Sequence, residues 1–466
     1  MDALGLLFWR AKKIKHRLRC FKELKNNIER RADEIVETVC AETKKPKTEA
    51  LLGEVMTVYR LINFYLKTAP RVLKPKKVKS FFWANKKIVV HREPLGMVGV
   101  ISPWNYPFSL AMGAILPALV TGNGVVFRPS QKTQKTGELI ADLIEESGLD
   151  DAFELRIGDH SVVTEMIADP IMDKICFTGS VETGREVYKK NIEHRFTPPV
   201  LELGGSNAAI VCSDADILKA AKSIVWGRFS NAGQSCNAIK RVIAEASIFN
   251  QLVSAIVSEL QKLLPEVEIP QVLDVNQHLI LQSQLSRAIY SGARTLYQAP
   301  IISNSIWFTP TVMEVNADNP LWKEEVFGPI LAICRVDFQG CESDVRDMDL
   351  GALMKILKTE ASQFNLGTSV FTKNKIFFEI ISVLSDVGIV NHNDALTEFA
   401  MVEAPFGSAS CGVGFMHGEE SLLEFTRPKT IITERWPMPR FWQYPYSEEK
   451  YNKLRKWIFW LAKIFK

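Results

Sequence analysis

From residue 97 onward, short apolar segments alternate with longer segments of helical periodicity, and this alternation restricts the fold more than any other feature. The apolar segments have the length of buried strands, and a helical segment such as 136–147 separates them. They lie at Val98–Ile101, Gly124–Phe127, Ile175–Phe177, Ala208–Val211, Lys240–Ala244, Phe327–Leu331 and Thr368–Phe371. Because parallel strands need long crossover connections, the pattern predicts an α/β fold with helices on both faces of parallel sheets.

Composition fits a globular protein of two or three domains. The chain has 466 residues, 47% apolar and 24% charged, with a net charge of +4. So small a net charge is not that of a protein dedicated to binding nucleic acid. Basic residues are concentrated in segments 10–31 and 71–92. These segments either bind phosphates or an anionic membrane surface, or form a solvated helix face and a charged edge strand.

The eight cysteines are scattered, without a CxxC pair or a His-rich ligand spacing. This distribution argues against a metal site and against a disulfide framework, so we expect a cytoplasmic protein. The first ten residues are apolar but lack the basic region and cleavage site of a signal peptide. No apolar run reaches the roughly 20 residues of a membrane-spanning helix.

Two strings contain residues suited to carbonyl chemistry. Cys236 ends the string Asn-Ala-Gly-Gln-Ser-Cys, and Glu202 lies in Leu-Glu-Leu-Gly-Gly. A thiolate can attack a carbonyl carbon, and a carboxylate can remove a proton from water. An intracellular cysteine is more often a small buried hydrophobe, which is the role we expect for the other seven. Gly233 and Ser235, however, leave a small and polar approach to Cys236.

Three further strings complete a family pattern: Pro-Trp-Asn-Tyr-Pro at 103–107, Phe-Thr-Gly-Ser at 177–180 and Glu-Glu-Val-Phe-Gly-Pro at 324–329. In this order and spacing the five strings resemble the aldehyde dehydrogenase superfamily, from about residue 20 to about residue 435. The resemblance implies NAD(P)-dependent oxidation of an aldehyde to its carboxylic acid through a cysteine thiohemiacetal and a thioester. Cys236 would be the nucleophile and Glu202 the general base. The Cys236 N–H and the Asn105 amide would stabilise the oxyanion.

The resemblance also implies a Rossmann-like cofactor domain, an α/β catalytic domain and a small β oligomerisation arm. The expected boundaries are 1–78 with 94–203 for the cofactor domain, 204–420 for the catalytic domain, 79–93 with 421–436 for the arm, and 437–466 for an amphipathic tail. An isolated two-stranded arm is marginally stable in water, so we expect a homodimer or a dimer of dimers.

The expected cofactor site departs from the usual dinucleotide motif, because no GxGxxG follows a strand. Instead, Thr178, Gly179 and Ser180 follow the strand at 175–177, and Gly184 opens a helix whose N-terminus suits a pyrophosphate. The resemblance implies cofactor contacts from Trp104, Arg128, Ser130, Gln131, Gly179, Ser180, Gly184, Leu203, Glu325 and Phe327.

Two segments depart from the family pattern. Arg128-Pro-Ser-Gln131 stands where the family commonly has Lys-Pro-Ser-Glu. Without the glutamate there is no carboxylate to repel the 2′-phosphate of NADP, and an arginine can form an ion pair with that phosphate. NADP is therefore a possible cofactor, although NAD is slightly favoured. Ser408 and Cys411 stand near where the family usually has glycine and serine, which affects the substrate entrance.

Few residues of the sequence indicate which aldehyde is the substrate. Leu110 and Gly113 would line the tunnel, and a glycine at 113 predicts a roomy entrance. Asn237 would add a polar group beside the nucleophile. A medium-chain, long-chain or aromatic aldehyde fits these residues. The short N-terminus is also similar to that of fatty aldehyde dehydrogenases.

Two other functions stay open at this stage. A non-catalytic, membrane-associated scaffold is suggested by the tail at 451–466, which is rich in lysine, tryptophan and phenylalanine. The same tail would alternatively pack over a substrate tunnel. A scaffold would be expected to have lost Cys236, Glu202 or Asn105. A CoA-acylating dehydrogenase would be expected to lack Glu202, because a thiol resolves its thioester.

Overall fold

The computed structural model describes residues 3–80, 83–264, 267–300, 306–340, 348–357, 365–407, 410–438, 440 and 443–464. The chain forms two compact units. The first comprises Met1–Leu73 and Glu93–Arg427, and the second comprises Lys74–Arg92 and Pro428–Lys466. The finer division of the first unit into cofactor and catalytic domains stays a prediction.

The described helices are α1 Ala3–Ala11, α2 Ile14–Arg30, α3 Ala32–Thr43, α4 Lys47–Ala50, α5 Thr57–Val72, α6 Ser109–Thr121, α7 Gln134–Glu146, α8 His160–Ala168, α9 Val181–His194, α10 Ile217–Phe229, α11 Phe249–Leu260, α12 Val275–Tyr290, α13 Pro320–Lys323, α14 Gly351–Leu357, α15 Lys375–Leu384, α16 Gly418–Glu424 and α17 Glu448–Ile464. A π-helical segment, Leu51–Met56, joins α4 to α5. Helix α6 is apolar on all sides and entirely buried, as expected of a central helix.

The described strands are β1 Lys76–Val78, β2 Lys86–Pro94, β3 Met97–Ile101, β4 Gly124–Arg128, β5 Phe153–Leu155, β6 Met172–Gly179, β7 Val200–Leu203, β8 Asn207–Val211, β9 Ile239–Glu245, β10 Arg294–Gln298, β11 Thr311–Glu314, β12 Ile330–Val336, β13 Gly367–Phe371, β14 Ile389–His392, β15 Gly412–Val413 and β16 Thr426–Glu434. The first unit contains a sheet in the order β15-β7-β6-β3-β4-β5 and a sheet in the order β10-β11-β12-β9-β8-β13-β14. Both are parallel except at the edge strands β15 and β10, which run antiparallel. The predicted α/β fold is confirmed.

The register of the first sheet brings the expected cofactor residues to one edge. Ile101 at the end of β3 lies level with Arg128 of β4 and Phe177 of β6. Gly179 at the end of β6 lies level with Leu203 of β7. The carboxyl ends of parallel strands are where α/β proteins bind ligands. The loops that follow these strands therefore begin at a single ligand-binding edge.

Two segments differ from the sequence prediction. In the segment 327–331 only the last two residues belong to β12, because Pro329 lacks the N–H that a central strand donates. The strand expected across the oligomerisation arm begins at Thr426, and the residues before it form α16. That helix buries Ser421 and Leu422 and has acidic residues in its first turn, which suit the helix dipole.

The second unit contains a three-stranded sheet in the order β1-β2-β16 and the helix α17. Strand β16 is exposed along its whole length after Thr426. The expected hairpin arm at 79–93 includes β2, and residues 81 and 82 lie outside the described residues. Across the described part of the chain, none of the helices combines the length and hydropathy needed to cross a bilayer.

Candidate active site

The candidate nucleophile loop, residues 230–236, follows α10 through an uncommon backbone turn. Asn231, Ala232 and Gly233 have φ values of 50°, 52° and 71°, in the left-handed region that side chains with a Cβ disfavour. A Cβ at Gly233 would lie 2.6 Å from the Gly328 carbonyl oxygen, so only glycine fits there. Conformations of this kind persist when the surrounding structure holds them, and they are concentrated at functional sites.

Hydrogen bonds from two other segments hold this turn. The Asn231 N–H donates to Glu49 Oε2 at 2.8 Å, and the Asn231 amide donates to the Asn105 carbonyl at 3.2 Å. The Asn105 Nδ2 in turn donates to the Gln234 carbonyl at 3.1 Å. The structure thus places the predicted residue Asn105 in contact with the loop that contains Cys236. The Asn105 amide carries a second N–H for a further acceptor.

Cys236 borders a cavity, and its thiol lies deep in the protein. Burial raises the pKa of the thiol to about 12; the charge on Lys240 opposes this shift, and the charges on Glu202 and Glu325 add to it. The thiol is therefore protonated near neutral pH unless a nearby positive charge or hydrogen-bond donor stabilises the thiolate.

Glu202 lies on β7 and is almost completely buried. Burial raises the pKa of its carboxyl group well above the ordinary value, against the lowering effect of a hydrogen bond from the Met416 backbone. Its Oε1 has no hydrogen-bond partner within the described residues. A buried carboxyl oxygen without a partner is able to accept a proton from a water molecule that enters the site.

Apolar residues form most of the cavity beside Cys236. The cavity has a volume of about 300 Å³. Its lining includes Leu52, Met56, Tyr106, Leu110, Trp226, Asn237, Leu396 and Phe399. The expected positions of Leu110 and Asn237 are confirmed. Asn237 Nδ2 donates to Glu398 Oε1 at 2.9 Å, which fixes the amide.

The prediction of a roomy entrance at Gly113 is wrong. Gly113 does not line the cavity, and a Cβ there would overlap the Met416 side chain. The methionine, which is distant in sequence, fills the space that the glycine leaves. Ser408 lies outside the described residues, whereas Cys411 is buried in the apolar cluster that Cys236 packs against.

A buried ion pair supports the Asn105 segment. Lys45 Nζ and Glu54 Oε1 lie 2.7 Å apart, and both side chains are fully buried. Lys45 also donates to the Asn105 carbonyl at 2.8 Å, and its ammonium lies 3.7 Å from the Tyr106 ring centroid. Glu54 accepts the backbone N–H groups of Phe108 and Ser109 at 3.2 and 2.8 Å. The pair thus fixes both the Asn105 backbone and the start of α6.

Trp104, Phe327 and Glu325 lie near the candidate nucleophile loop. The Trp104 and Phe327 rings meet edge to face with centroids 5.7 Å apart. Glu325 Oε1 accepts the Gly205 N–H at 3.1 Å and lies 3.2 Å from Lys240 Nζ. Lys132, which forms an ion pair with Asp274, lies 5.7 Å from the Trp104 ring centroid.

Arg128 ends β4 at the carboxyl edge of the first sheet, and Ser130 and Gln131 follow it. Arg128 Nη2 donates to the Gly158 carbonyl at 3.0 Å, while its buried Nε has no partner within the described residues. Burial lowers the pKa of Arg128, and Asp159 opposes that effect. Ser130 Oγ accepts the Lys132 N–H, and Gln131 is exposed. An arginine with an unused N–H fits an anionic ligand at this edge.

Gly179, Ser180 and Gly184 lie at the junction of β6 and α9. Ser180 Oγ accepts the Thr183 N–H at 3.3 Å and so caps α9, which begins at Val181. Gly184 therefore lies inside the first turn rather than at the opening of the helix. A Cβ at Gly184 would overlap Leu203, so this glycine allows the helix to pack closely on β7.

Sequence reasoning missed Lys45, Glu49, Glu54 and Lys240. Each of the first three has at least one partner far away in sequence, and nothing in their spacing distinguishes them from charged surface residues. Lys240 did leave a detectable anomaly, because Lys240 and Arg241 are two adjacent charged residues at the start of a strand segment that is otherwise apolar. Buried charges in strands are rare unless they are paired.

Comparison with known proteins identifies the family of this chain. The sequence model of the aldehyde dehydrogenase family matches residues 5–431. A 4,4'-diapolycopene aldehyde oxidase from Methylomonas sp. is 32% identical over 97% of this chain and 84% of its own length. The mouse aldehyde dehydrogenase family 3 member A2 is 28% identical over 91% of this chain and 85% of its own length.

Solved structures show the same relationship. An NADP-dependent glyceraldehyde-3-phosphate dehydrogenase from Bacillus halodurans, complexed with NADP, superposes with a TM-score of 0.84 at 31% identity, covering 92% of this chain and 89% of that one. An NAD-dependent aldehyde dehydrogenase from Sinorhizobium meliloti gives a TM-score of 0.85 at 26% identity, covering 93% and 85%. The chain therefore belongs to the aldehyde dehydrogenase family and is an oxidoreductase that acts on the aldehyde group.

Proposed function

We propose that this enzyme oxidises an apolar aldehyde to its carboxylic acid, with Cys236 as nucleophile and NAD or NADP as hydride acceptor. The observation that carries this proposal is the position of Cys236 at an apolar cavity, beside Asn105 and electrostatically coupled to the buried Glu202. An apolar lining favours a hydrocarbon chain or an aromatic ring, because such a group loses no hydrogen bonds on burial.

A phosphorylated substrate, such as the Bacillus halodurans relative is named for, fits this cavity poorly. Glu49 is the one acidic side chain among the described lining residues, and none of them is a lysine or an arginine. A phosphate monoester needs cationic or N–H partners when it leaves water. The Methylomonas relative, by contrast, is named for an aldehyde of 4,4'-diapolycopene.

In the first chemical step the Cys236 thiolate attacks the aldehyde carbon and forms a thiohemiacetal. The developing oxyanion requires donors that are already fixed in place. The Cys236 N–H and the second N–H of the Asn105 amide are suited to this role, because the amide is held through Gln234 and through the Lys45 contact to the Asn105 carbonyl. Asn105 therefore acts from a backbone that the Lys45–Glu54 pair holds in position.

Residues at the carboxyl edge of the first sheet fit a dinucleotide. Arg128 has an unused buried N–H for an anion, Ser180 caps a helix that points its N-terminus toward this edge, and Glu325 is partly exposed beside the nucleophile loop. A bound nicotinamide would accept the hydride that leaves the thiohemiacetal, and Cys236 would then carry a thioester. Trp104 and Phe327 border the same side of the loop.

Glu202 is suited to activate the water that hydrolyses the thioester. Its Oε1 has no partner within the described residues, and its raised pKa makes it a stronger base than an exposed carboxylate. Because a CoA thiol would need no such base, Glu202 favours release of a free acid over CoA acylation. The retention of Cys236, Glu202 and Asn105 likewise favours an enzyme over a scaffold.

Two variants test this mechanism. Cys236→Ala should abolish aldehyde oxidation while cofactor binding persists, and retention of more than a few per cent of turnover in a pure sample would contradict the nucleophile assignment. Glu202→Gln should still transfer hydride but stall at the thioester, giving a burst of reduced cofactor close to one equivalent per site. Loss of the burst would assign Glu202 to an earlier step. A panel of aldehydes of increasing chain length, assayed with NAD and NADP in parallel, tests the substrate class.

We also propose that the chain assembles as a homodimer or a dimer of dimers through the sheet β1-β2-β16. Strand β16 is an exposed edge, and exposed edges are usually paired or covered. The expected result is a dimeric or tetrameric mass by light scattering at micromolar concentration. A monomeric mass would contradict the proposal.

The C-terminal helix is proposed to contact a membrane surface. Trp457, Ile458, Phe459 and Trp460 on α17 are 40% to 61% exposed, next to lysines that suit an anionic interface. Deleting 448–466 should reduce binding to vesicles that contain phosphatidylserine. If binding is unchanged and KM for long-chain aldehydes is also unchanged, the helix serves another purpose.

A further inference from the structure

Lys240 is a fully buried cation in direct contact with the nucleophile loop. It lies on β9, four residues after Cys236, and is 1% exposed. Its Nζ donates to the Ser235 carbonyl at 2.9 Å and to the Cys236 carbonyl at 2.7 Å. Its third contact is Glu325 Oε1 at 3.2 Å. An ammonium has three N–H donors, so these three acceptors satisfy it completely.

The position of this charge is more informative than its hydrogen bonds. Two backbone carbonyls could be satisfied by a neutral donor or by water at much lower desolvation cost than by a buried ammonium. Glu325, which is partly exposed, only partly compensates the charge from the cofactor-facing side. The remaining positive field acts on the neighbouring thiol group, where an anion must form before an aldehyde can be attacked.

We propose that Lys240 is the positioning residue that fixes the nucleophile loop and supplies the positive charge that stabilises the Cys236 thiolate, in contact with Glu325. This inference rests on the proposed function of Cys236. Through Glu325 the charge is also coupled to the cofactor side, because any ligand group that draws the carboxylate away leaves Lys240 less compensated. Occupation of the cofactor site should therefore strengthen the field at the thiol.

Other charged and titratable groups face the same two side chains. Glu202, Glu325, Tyr106 and Cys411 act on Cys236, and Arg228 acts on Lys240. Lys240 opposes the effect of burial on the thiol, while Glu202 and Glu325 reinforce it. Arg228 is buried and donates to the Val326 carbonyl at 2.9 Å, so it acts on Lys240 rather than on the loop carbonyls.

The test is the pH dependence of Cys236 alkylation by iodoacetamide, measured on the intact full-length enzyme and assigned to Cys236 by peptide mass. It needs no aldehyde turnover, so its outcome is separate from that of the proposed reaction. Lys240→Gln keeps a donor for the loop carbonyls but removes the charge. At a fixed pH below the pKa, alkylation should slow at least tenfold, since each unit of pKa changes the thiolate fraction tenfold.

Lys240→Arg keeps the charge and should retain most of the wild-type alkylation rate. Lys174→Gln is the matched control, because Lys174 is also a buried lysine, with its ion pair to Glu424 at 2.7 Å, and has no contact with the nucleophile loop in the described structure. It should leave the profile unchanged. Adding NAD should accelerate alkylation in the wild type more than in Lys240→Gln.

Equal slowing in the Gln and Arg variants would show that the shape of the side chain matters and would overturn the role of the charge. An unchanged profile in Lys240→Gln, even with a lower melting temperature, would leave Lys240 as a structural residue and overturn the proposal. If Lys240→Gln fails to fold, Lys240→Met and the Arg variant provide the same comparison between a neutral and a charged side chain.

Discussion

Replacing Lys45 by methionine should remove more stability than most single substitutions in this protein. The methionine fills a similar volume, but Glu54 then remains fully buried without its cation. Breaking a buried pair by removing one partner typically costs about 3–5 kcal/mol. The hydrogen bonds that Glu54 accepts from the Phe108 and Ser109 N–H groups persist. We therefore expect a loss at the lower end of this range, about 3 kcal/mol.

Urea unfolding of the full-length enzyme measures this loss, and steady-state kinetics measures its effect on the active site. Lys45 also holds the Asn105 carbonyl, so kcat should fall together with stability. The control is Lys47→Met. That lysine lies two residues away, is 72% exposed and pairs with Glu37 at 3.3 Å, and exposed pairs contribute at most about 1 kcal/mol.

A double variant separates the buried charge from the lost packing. In Lys45→Met combined with Glu54→Gln no uncompensated charge remains, so the double variant should be less destabilised than the sum of the single variants. A loss below about 1 kcal/mol in Lys45→Met, or strict additivity of the two substitutions, would refute the reasoning from the buried pair.

Three further changes have expected outcomes. Gln131→Glu should weaken NADP binding by about 1–3 kcal/mol relative to NAD, and an unchanged ratio of kcat/KM for the two cofactors would show that residue 131 does not face the ribose. Burial lowers the pKa of His417 to about 4 in the folded protein, so the unfolded chain takes up the proton first as pH falls from about 6.5. His417 alone should therefore contribute a loss of about 3 kcal/mol between pH 6.5 and pH 4. In urea unfolding over that interval, the change in stability of the wild type should be less favourable than that of His417→Asn by about this amount. Leu110→Trp should narrow the cavity, raising KM for long-chain aldehydes more than for acetaldehyde.

Local patterns in the sequence were sufficient to predict the α/β architecture. Short apolar segments separated by helices define parallel strands, and the structure places them in two sheets. The segment at 327–331 shows where this reasoning stops. Its apolar residues resemble a strand. In the structure, however, Phe327, Gly328 and Pro329 form a loop, and strand β12 begins only at Ile330. Whether an apolar run is a strand or a loop is decided by contacts that the pattern does not contain.

The candidate site shows the same limit for side chains. Cys236, Glu202 and Asn105 could be singled out from the sequence because each lies in a distinctive short string. The space beside Gly113 was not, because Met416, about three hundred residues further along the chain, fills it. Lys45 and Glu54 are likewise ordinary charged residues in sequence, and only their burial beside Asn105 gives them a role.

Burial also bears on the order in which the two proposed reacting groups, Cys236 and Glu202, would act. The thiol of Cys236 and the carboxyl group of Glu202 both have raised pKa values, and repulsion from Glu202 contributes to that of the thiol. Charge repulsion is mutual, so the site resists holding a thiolate and a carboxylate at the same time. In the proposed mechanism the thiolate would lose its charge on becoming a thioester, and this opposition to ionisation of Glu202 would disappear. Glu202 would thus become easier to ionise at the stage where water must be activated, while Lys240 would favour the thiolate at the earlier stage.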